Sequence, residues 1–366
     1  MRTARLTSLY ETEGPFATVM LDVSRDTENG AHEHELRVRA ACEALMEKGA
    51  DEIVVDAISE RLSEAVSDPA PVGRMVVATK EGVALDELIH TRVDQPTTSW
   101  GVLPDIASWV AYRDSMTTFV LAVVDHEGGD VGLYDSDVPE AQEESSVGGE
   151  SHHVHKVPSG GWSALRYQHV VENVWQRNAD AVAEEIQSYV RAGQRLVLIA
   201  GNPQSVTRVL ATLGETRATV VQLESGTRAE DGGDEALQQS IREALMDYAV
   251  TRRVELSHTV KDRLGRNDAV ATGVRDVAQA FVIGQVDTLL LDVDAAAELT
   301  LTPSDYPGLV LGGAPPDQPC RADLALIAAA VATGADVTVS RSRTLAGTPV
   351  AALLRWDQEL VGAQAS

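Results

Sequence analysis

The sequence is poor in cysteine, in basic charge and in long apolar runs. Its two cysteines, Cys42 and Cys320, stand far apart. That excludes a disulfide framework and a cysteine-built zinc site, and it fits a reducing compartment. No window approaches the roughly 18 apolar residues that a membrane-spanning helix requires. The opening MRTARLTSLYETEGPF lacks the apolar stretch of a secretory signal, so a cytoplasmic protein without a membrane partner is expected. Lysine and arginine total 30 against 56 aspartates and glutamates, a formal net charge of −26. A surface of that sign repels phosphate and argues against nucleic-acid binding by the molecule as a whole. What remains is ordinary globular material, 366 residues of which 44% are hydrophobic. That is too much chain for one core, and two or three domains are expected.

The acid is unevenly spread. Residues 126–150 are strongly acidic and poor in apolar side chains, so much of that stretch reads as an exposed loop. In residues 151–213 the balance reverses. Lys156, Arg166, Arg177, Arg191, Arg195 and Arg208 outnumber Glu172, Asp180, Glu184 and Glu185, with His152, His153, His155 and His169 in addition. Chance or salt bridging along a helix would also produce such a segment.

Pattern divides the chain into three α/β regions, expected at 1–116, 117–234 and 235–366. In the first, 17–24 reads as a strand and 73–89 as a strand pair. A helix over 32–48 carries Leu36, Ala40, Ala44 and Leu45 at helical spacing. In the second, strands are predicted at 117–125, 131–135, 152–157, 195–201 and 218–225. A long helix follows the loop at 158–161, with Ser163 as its cap. Its apolar stripe is Tyr167, Val171, Val174, Ala179, Val182, Ile186 and Val190, and Gly193 ends it. A short helix at 203–213 completes a strand–helix alternation that points to parallel pairing within a mixed sheet. Residues 226–235 read as a linker. The third region alternates helices at 236–250, 273–286 and 322–334 with strands at 287–293, 336–342 and 348–356 and a strand and turn at 308–319, an α/β/α sandwich by pattern.

One short run stands out. Residues 158–167, PSGGWSALRY, place Gly160 and Gly161 before Trp162 and then open a helix. The glycines free the backbone at a cost in order, and Trp162 sets a large aromatic at the tip. Nearby, HHVHKV puts His153 and His155 on one strand face, but no third ligand follows at useful spacing, so no metal is expected. GNPQS at 201–205 ends a strand before a helix without the glycine spacing of a phosphate-binding turn, and it reads as structural. Arg252 and Arg253 read as a solvated helix face.

The run GGWSALRY resembles the G-G-Q-S-A-L-R-F loop that opens a long helix in the middle domain of the eukaryotic and archaeal class-one release factors. Gly160, Gly161, Ser163, Ala164, Leu165 and Arg166 match, and Trp162 stands where that family has glutamine. RLVLIAG, GVRDVAQAFVIGQVDTLLLD, GADVTVSRS and AGTPVAALLRW resemble later segments of the family in the same order. The resemblance covers roughly 117–356. It implies three domains, the last with a ribosomal-protein-like α/β/α fold. The stop-codon-reading elements N-I-K-S and Y-x-C-x-x-x-F do not occur in this chain, so the resemblance points to the bacterial release-factor-like branch that includes the hibernation factor Balon.

The resemblance further implies a 70S ribosome partner, contacted through 16S and 23S rRNA in the A site, and a GTPase of the elongation factor Tu type. No cofactor is implied. The residues expected at RNA are His155, Lys156, Gly160, Gly161, Trp162, Ser163 and Arg166. In the hydrolytic members a backbone N–H and the glutamine side chain serve the developing oxyanion and the attacking water. An indole has one donor and no acceptor. It stacks on an unpaired base, or folds back onto its own domain. The expectation is therefore a ribosome-binding factor that does not catalyse release, with a peptidyl-tRNA hydrolase or a release factor for stalled ribosomes as the alternative.

Overall fold

The structure is a computed structural model that describes residues 3–27, 29–68, 71–125, 128–136, 141–147, 153–154, 175–223, 233–266, 268–313, 317–345 and 347–356. The chain forms two compact units. One joins residues 1–115 to 255–366, and the other is residues 116–254.

In the N-terminal segment, α1 (Thr7–Glu11) precedes β1 (Phe16–Asp22), α2 (Gly30–Glu47), α3 (Glu52–Ser63), β2 (Gly73–Thr79), β3 (Gly82–Ile89), β4 (Thr97–Gly101) and α4 (Ala107–Ser115). The sheet runs β3-β2-β1-β4 and is antiparallel throughout. Strand alternation sorts β1 to two faces. Ala17, Val19 and Leu21 meet Val38, Leu45, Ile58 and Leu62 of α2 and α3. Phe16 and Met20 face the other way, toward Leu6, Leu9, Ile106 and Trp109.

The helix at 32–48 forms, but its buried stripe is His34, Val38, Ala41 and Leu45, while Leu36 is 45% exposed. The apolar pattern missed this register because the stripe contains a histidine. His34 is buried and shares a 3.0 Å hydrogen bond with the Leu62 carbonyl. Burial, with Arg25 next in effect, holds its ring below the ordinary imidazole range. On the same face Arg74 forks onto Asp86 at 2.6 and 2.8 Å, pinning β2 to β3.

The second unit contains β5 (Thr118–Val124), β6 (Gly129–Asp135), β7 (Glu143–Val147), β8 (His153–Val154), α5 (Trp175–Arg191), β9 (Leu196–Gly201), α6 (Pro203–Leu213) and β10 (Thr219–Gln222). The sheet order is β10-β9-β5-β6-β7-β8. The strands β10, β9 and β5 are parallel, and the remaining pairs are antiparallel. The mixed sheet is as expected, and the strand–helix alternation accounts only for its parallel half. Of the acidic stretch 126–150, the described residues are 128–136 and 141–147, and they are mostly strand rather than loop. They hold β6 and β7, because hydrogen-bonding neighbours and buried Ser145 and Val147 outweigh a composition that is weak for strand.

The helix α7 (Gly233–Arg266) begins inside the stretch predicted as linker. Its early residues Ile241 and Leu245 pack on Phe119, Leu121, Leu196 and Leu198, the face of that sheet opposite α5 and α6. The C-terminal segment continues with β11 (Val270–Thr272), α8 (Gly273–Val282), β12 (Val286–Leu291), α9 (Val293–Ala297), β13 (Thr300–Leu301), β14 (Cys320–Arg321), α10 (Ala322–Thr333), β15 (Asp336–Val339) and β16 (Val350–Leu354). The four-stranded sheet is ordered β11-β16-β12-β15. Leu289 and Leu291 face α8 and α10, and Leu290 faces Val260 of α7. Helices thus cover both faces, as the pattern predicts. Among the described residues of 308–319, where a strand and turn are expected, no strand forms. Only an isolated bridge from Leu311 to Gly313 forms there, and Gly312, at φ +67°, lets its loop pass against the Tyr10 carbonyl where a Cβ would collide.

Residues from both ends of the chain build one hydrophobic cluster around α10, whose residues Ala322 to Val331 are all buried. Polar ties accompany it. Thr3 Oγ1 donates to the Ala335 carbonyl at 2.9 Å, and the Val339 N–H donates to Asp114 Oδ2 at 2.8 Å. Cys42 and Cys320 are free and half-buried.

The parallel pair β5 and β9 generates a prediction. Gly201 has φ +118°, and a Cβ there would strike the Val124 carbonyl. Asn202 follows and caps α6, accepting from the N–H groups of Gln204 at 3.0 Å and Ser205 at 3.4 Å. Denaturant unfolding should show Asn202→Ala losing about 1 kcal/mol and Gly201→Ala losing more, because it adds a backbone clash to the strain of a positive φ.

Candidate functional site

The residues expected at RNA, His155, Lys156, Gly160, Gly161, Trp162, Ser163 and Arg166, lie outside the described residues, as do the predicted helix positions Tyr167, Val171 and Val174. What the structure describes is the frame from which this segment departs and to which it returns. The chain leaves from β8 and re-enters at α5.

On the departure side, β8 is antiparallel to β7, with Val154 opposite Ser145 and His153 opposite Ser146. On the return side, α5 buries Ala179, Val182, Ala183 and Ile186 against Val120, Ala122, Val124, Val197 and Ile199, with Val206, Val209 and Leu213 of α6 closing the cluster. The later part of the predicted stripe is therefore the packed face, and Gly193, at φ +107°, follows the helix end.

Two serines on β7 knit the frame together. Ser145 Oγ lies 2.8 Å from Glu185 Oε1 of α5 and 3.3 Å from the Val131 carbonyl of β6. Its single hydroxyl proton goes to the shorter, charge-assisted partner. The Tyr189 hydroxyl is also hydrogen-bonded to Ser145, and burial, with Glu185 and Glu143 next, pushes that phenol up to about 12. Ser146 Oγ donates to Asp130 Oδ1 of β6 at 2.6 Å. Burial raises the Asp130 carboxyl, and the Ser146 bond only partly opposes this. Strand β7, the last full strand before the departing chain, is thus tied to both β6 and α5 by side chains as well as backbone. Sequence reasoning missed these ties, since small polar residues in an acidic run carry no strand signal. The i, i+2 recurrence of Ser145 and Val147 is the only trace.

A cavity of about 10 Å³ lies under the first described turns of α5, lined by Asp125, Gly128, Asn178, Ser205 and Arg208 among others. That is room for one water and not for a cofactor. Among the described residues no group of three or more His, Cys, Asp or Glu side chains could hold a metal ion, and no helix is long and apolar enough to cross a membrane. GNPQS is the helix-capping turn described above. Arg252 and Arg253 are exposed on α7, and Arg191, Arg195 and Arg217 are exposed in the second unit. Arg191 pairs with Glu184 at 3.5 Å, a surface contact of small energetic value.

A profile of the bacterial archaeo-eukaryotic release factor family 2 matches residues 118–266. The Mycobacterium tuberculosis proteins Rv2629 (strain H37Rv) and MT2704 (strain CDC 1551) are each 30% identical to this chain over 370 residues, covering 97% of it and 97% of each relative. Among solved structures, ribosome-bound archaeal Pelota, determined with ABCE1, aligns over 97% of this chain and 94% of its own at 15% identity, with a TM-score of 0.41. S. cerevisiae Dom34 aligns over the same shares at 9% identity and a TM-score of 0.40.

The frame predicts its own weak point. Ser145→Ala strips the half-buried Glu185 carboxylate of its neutral donor, and should cost the second unit about 1–2 kcal/mol in denaturant unfolding. Amides of α5 should lose protection from hydrogen exchange before those of β5 and β9. Uniform loss across the sheet would show that the tie does not hold this helix in particular.

Proposed function

The chain belongs to the bacterial archaeo-eukaryotic release factor family 2, and on that premise we propose that it is a ribosome-binding hibernation factor. It occupies the A site of idle 70S ribosomes, meets 16S and 23S rRNA, and reaches toward the peptidyl-transferase centre without catalysing release. A translational GTPase of the elongation factor Tu type is its proposed escort. One observation carries the reading. Within the span matched by the family profile, Trp162 replaces the glutamine of an otherwise matching G-G-Q-S-A-L-R run.

The chemistry follows from that replacement. Hydrolysis of the peptidyl ester needs a water held in near-attack geometry and donors aimed at the oxyanion. An indole cannot accept a hydrogen bond from water and displaces it by bulk. It can stack on an unpaired base. Gly160 and Gly161 leave the backbone free to turn beside RNA, and Lys156, His155, Ser163 and Arg166 supply donors for phosphate and base edges. The locally basic balance of 151–213 supports binding at this segment in a chain that is otherwise strongly acidic. The hydrolase alternative keeps one argument, since residue 162 retains its backbone N–H.

Three measurements test the proposal. The purified protein should co-sediment with vacant 70S ribosomes, compete with A-site tRNA and weaken with salt as counterions are released. Failure to co-sediment at low salt, with or without elongation factor Tu, would sink it. Trp162→Ala should weaken binding by one stacking contact, ~1–3 kcal/mol or roughly 5- to 150-fold, and unchanged affinity would place Trp162 in its own domain's core. With a filled P site, the unmutated protein should release no peptide above background, and robust release would establish the hydrolase instead.

A further inference from the structure

Charge is buried where the two ends of the chain meet. Asp105 precedes α4, Arg321 closes β14, and Asp323 lies in the first turn of α10. Arg321 divides its guanidinium unequally. Its Nε donates to Asp323 Oδ1 at 3.1 Å and its Nη2 to Asp323 Oδ2 at 2.6 Å, a two-pronged grip. Only Nη1 reaches Asp105, donating to Oδ2 at 2.7 Å. The side chain of Asp323 is fully buried and that of Asp105 is 11% exposed. Two buried carboxylates therefore share one cation, Arg321, whose own side chain is 41% exposed. Beside them lies Tyr10 of α1, 7% exposed, whose hydroxyl has no partner among the described residues. Burial first, and then Asp323 and Asp105, keep that phenol protonated far above its ordinary range. The Asp105 backbone N–H donates to Thr18 Oγ1 of β1 at 3.1 Å. The groups facing Asp105 are thus Arg321, Asp323, Tyr10 and Thr18, and Cys320 acts only on the Asp323 side.

We propose that this cluster is a proton-loaded clasp: as the surroundings acidify, Asp105 takes up one proton and the two ends of the chain hold each other more tightly. The balance is simple. A carboxylate and a solvent proton become a carboxylic acid, Arg321 keeps its two-pronged grip on Asp323, and the cluster passes from one net negative charge to neutral. Asp105 is the acceptor because a single guanidinium N–H reaches it. Burial raises its carboxyl, Arg321 opposes this, and Asp323 raises it further. The folded chain then binds a proton that the unfolded chain, with an aspartate near 3.9, does not bind. Stability rises as pH falls through the folded-state value, and the gain levels off below about pH 3.9. Stabilised carboxylates behave the opposite way. At Asp86, burial is outweighed by hydrogen bonds from Arg74 and Arg61, which hold the carboxyl below its usual range.

Hydrogen exchange on the full chain, corrected for intrinsic rates, tests the clasp. Amides of residues 103–110 and 320–327 should gain protection as pH falls from neutrality toward the ordinary aspartate value near 3.9, by at most about tenfold per pH unit, the limit for a single proton. Asp105→Asn, a neutral isostere, should abolish that gain. His34 pulls the other way in the same unit, because burial lowers its ring. The raised carboxyls of Asp130 and Glu144 pull the same way in the other unit. Distant terms of this kind cancel in the difference between parent and variant. An identical gain in the variant, or none in the parent, overturns the proposal. Should the variant fail to fold, a carbon-13 titration of the Asp105 carboxyl in the parent decides, with a midpoint above the ordinary 3.9 expected and one at or below it fatal.

Discussion

A helix without a polar face cannot sit on a surface, and α10 has none. Ten consecutive residues, Ala322 to Val331, are buried. The C-terminal sheet covers one flank through Leu289 and Val337, and the N-terminal segment covers the other through Leu6, Leu9, Ile106 and Trp109. Neither flank alone would suffice. Exposing either leaves a contiguous apolar strip of a size that monomeric proteins rarely show. The first 115 residues and the last hundred or so are therefore one structural unit by necessity of burial, whatever their separation in sequence.

The α10 flanks also explain which elements were legible beforehand. Continuous apolar strands such as RLVLIAG and VAALLRW announce themselves, and so does ADLALIAAAVATG. The α2 register did not, because its buried stripe includes His34, a residue type that apolar counting assigns outward. The short elements α1 and α4 were invisible for a different reason. Their apolar residues pack onto a helix more than two hundred positions away, and no local period encodes that partner. The strand expected within 308–319 failed in reverse. Its apolar letters serve a loop that passes over Tyr10, with Gly312 making the close approach possible.

For residues 158–167 the division of labour is sharper. Their resemblance to the release-factor run was readable from eight residues in order, because paired glycines at a fixed offset from a helix-forming run are rare signals. The frame was not readable. Ser145, Ser146, Asp130 and Glu185 are ordinary surface residues by type, and only the register of β7 against β6 brings their hydroxyls and carboxylates together. Small polar groups thus hold β7, the last full strand before residues 155–174, to both β6 and α5.

The bond from Thr3 to Ala335 spans 332 residues, and synthesis makes those residues in order. The ribosome that builds this chain releases the N-terminal segment long before α10 exists. Phe16, Met20, Leu6 and Leu9 must wait, uncovered, while the middle unit completes itself from contiguous sequence. Folding of this protein is thus a matter of timing as well as of contacts. A nascent chain that lacks α10 would leave that apolar face open, the kind of surface on which chaperones act.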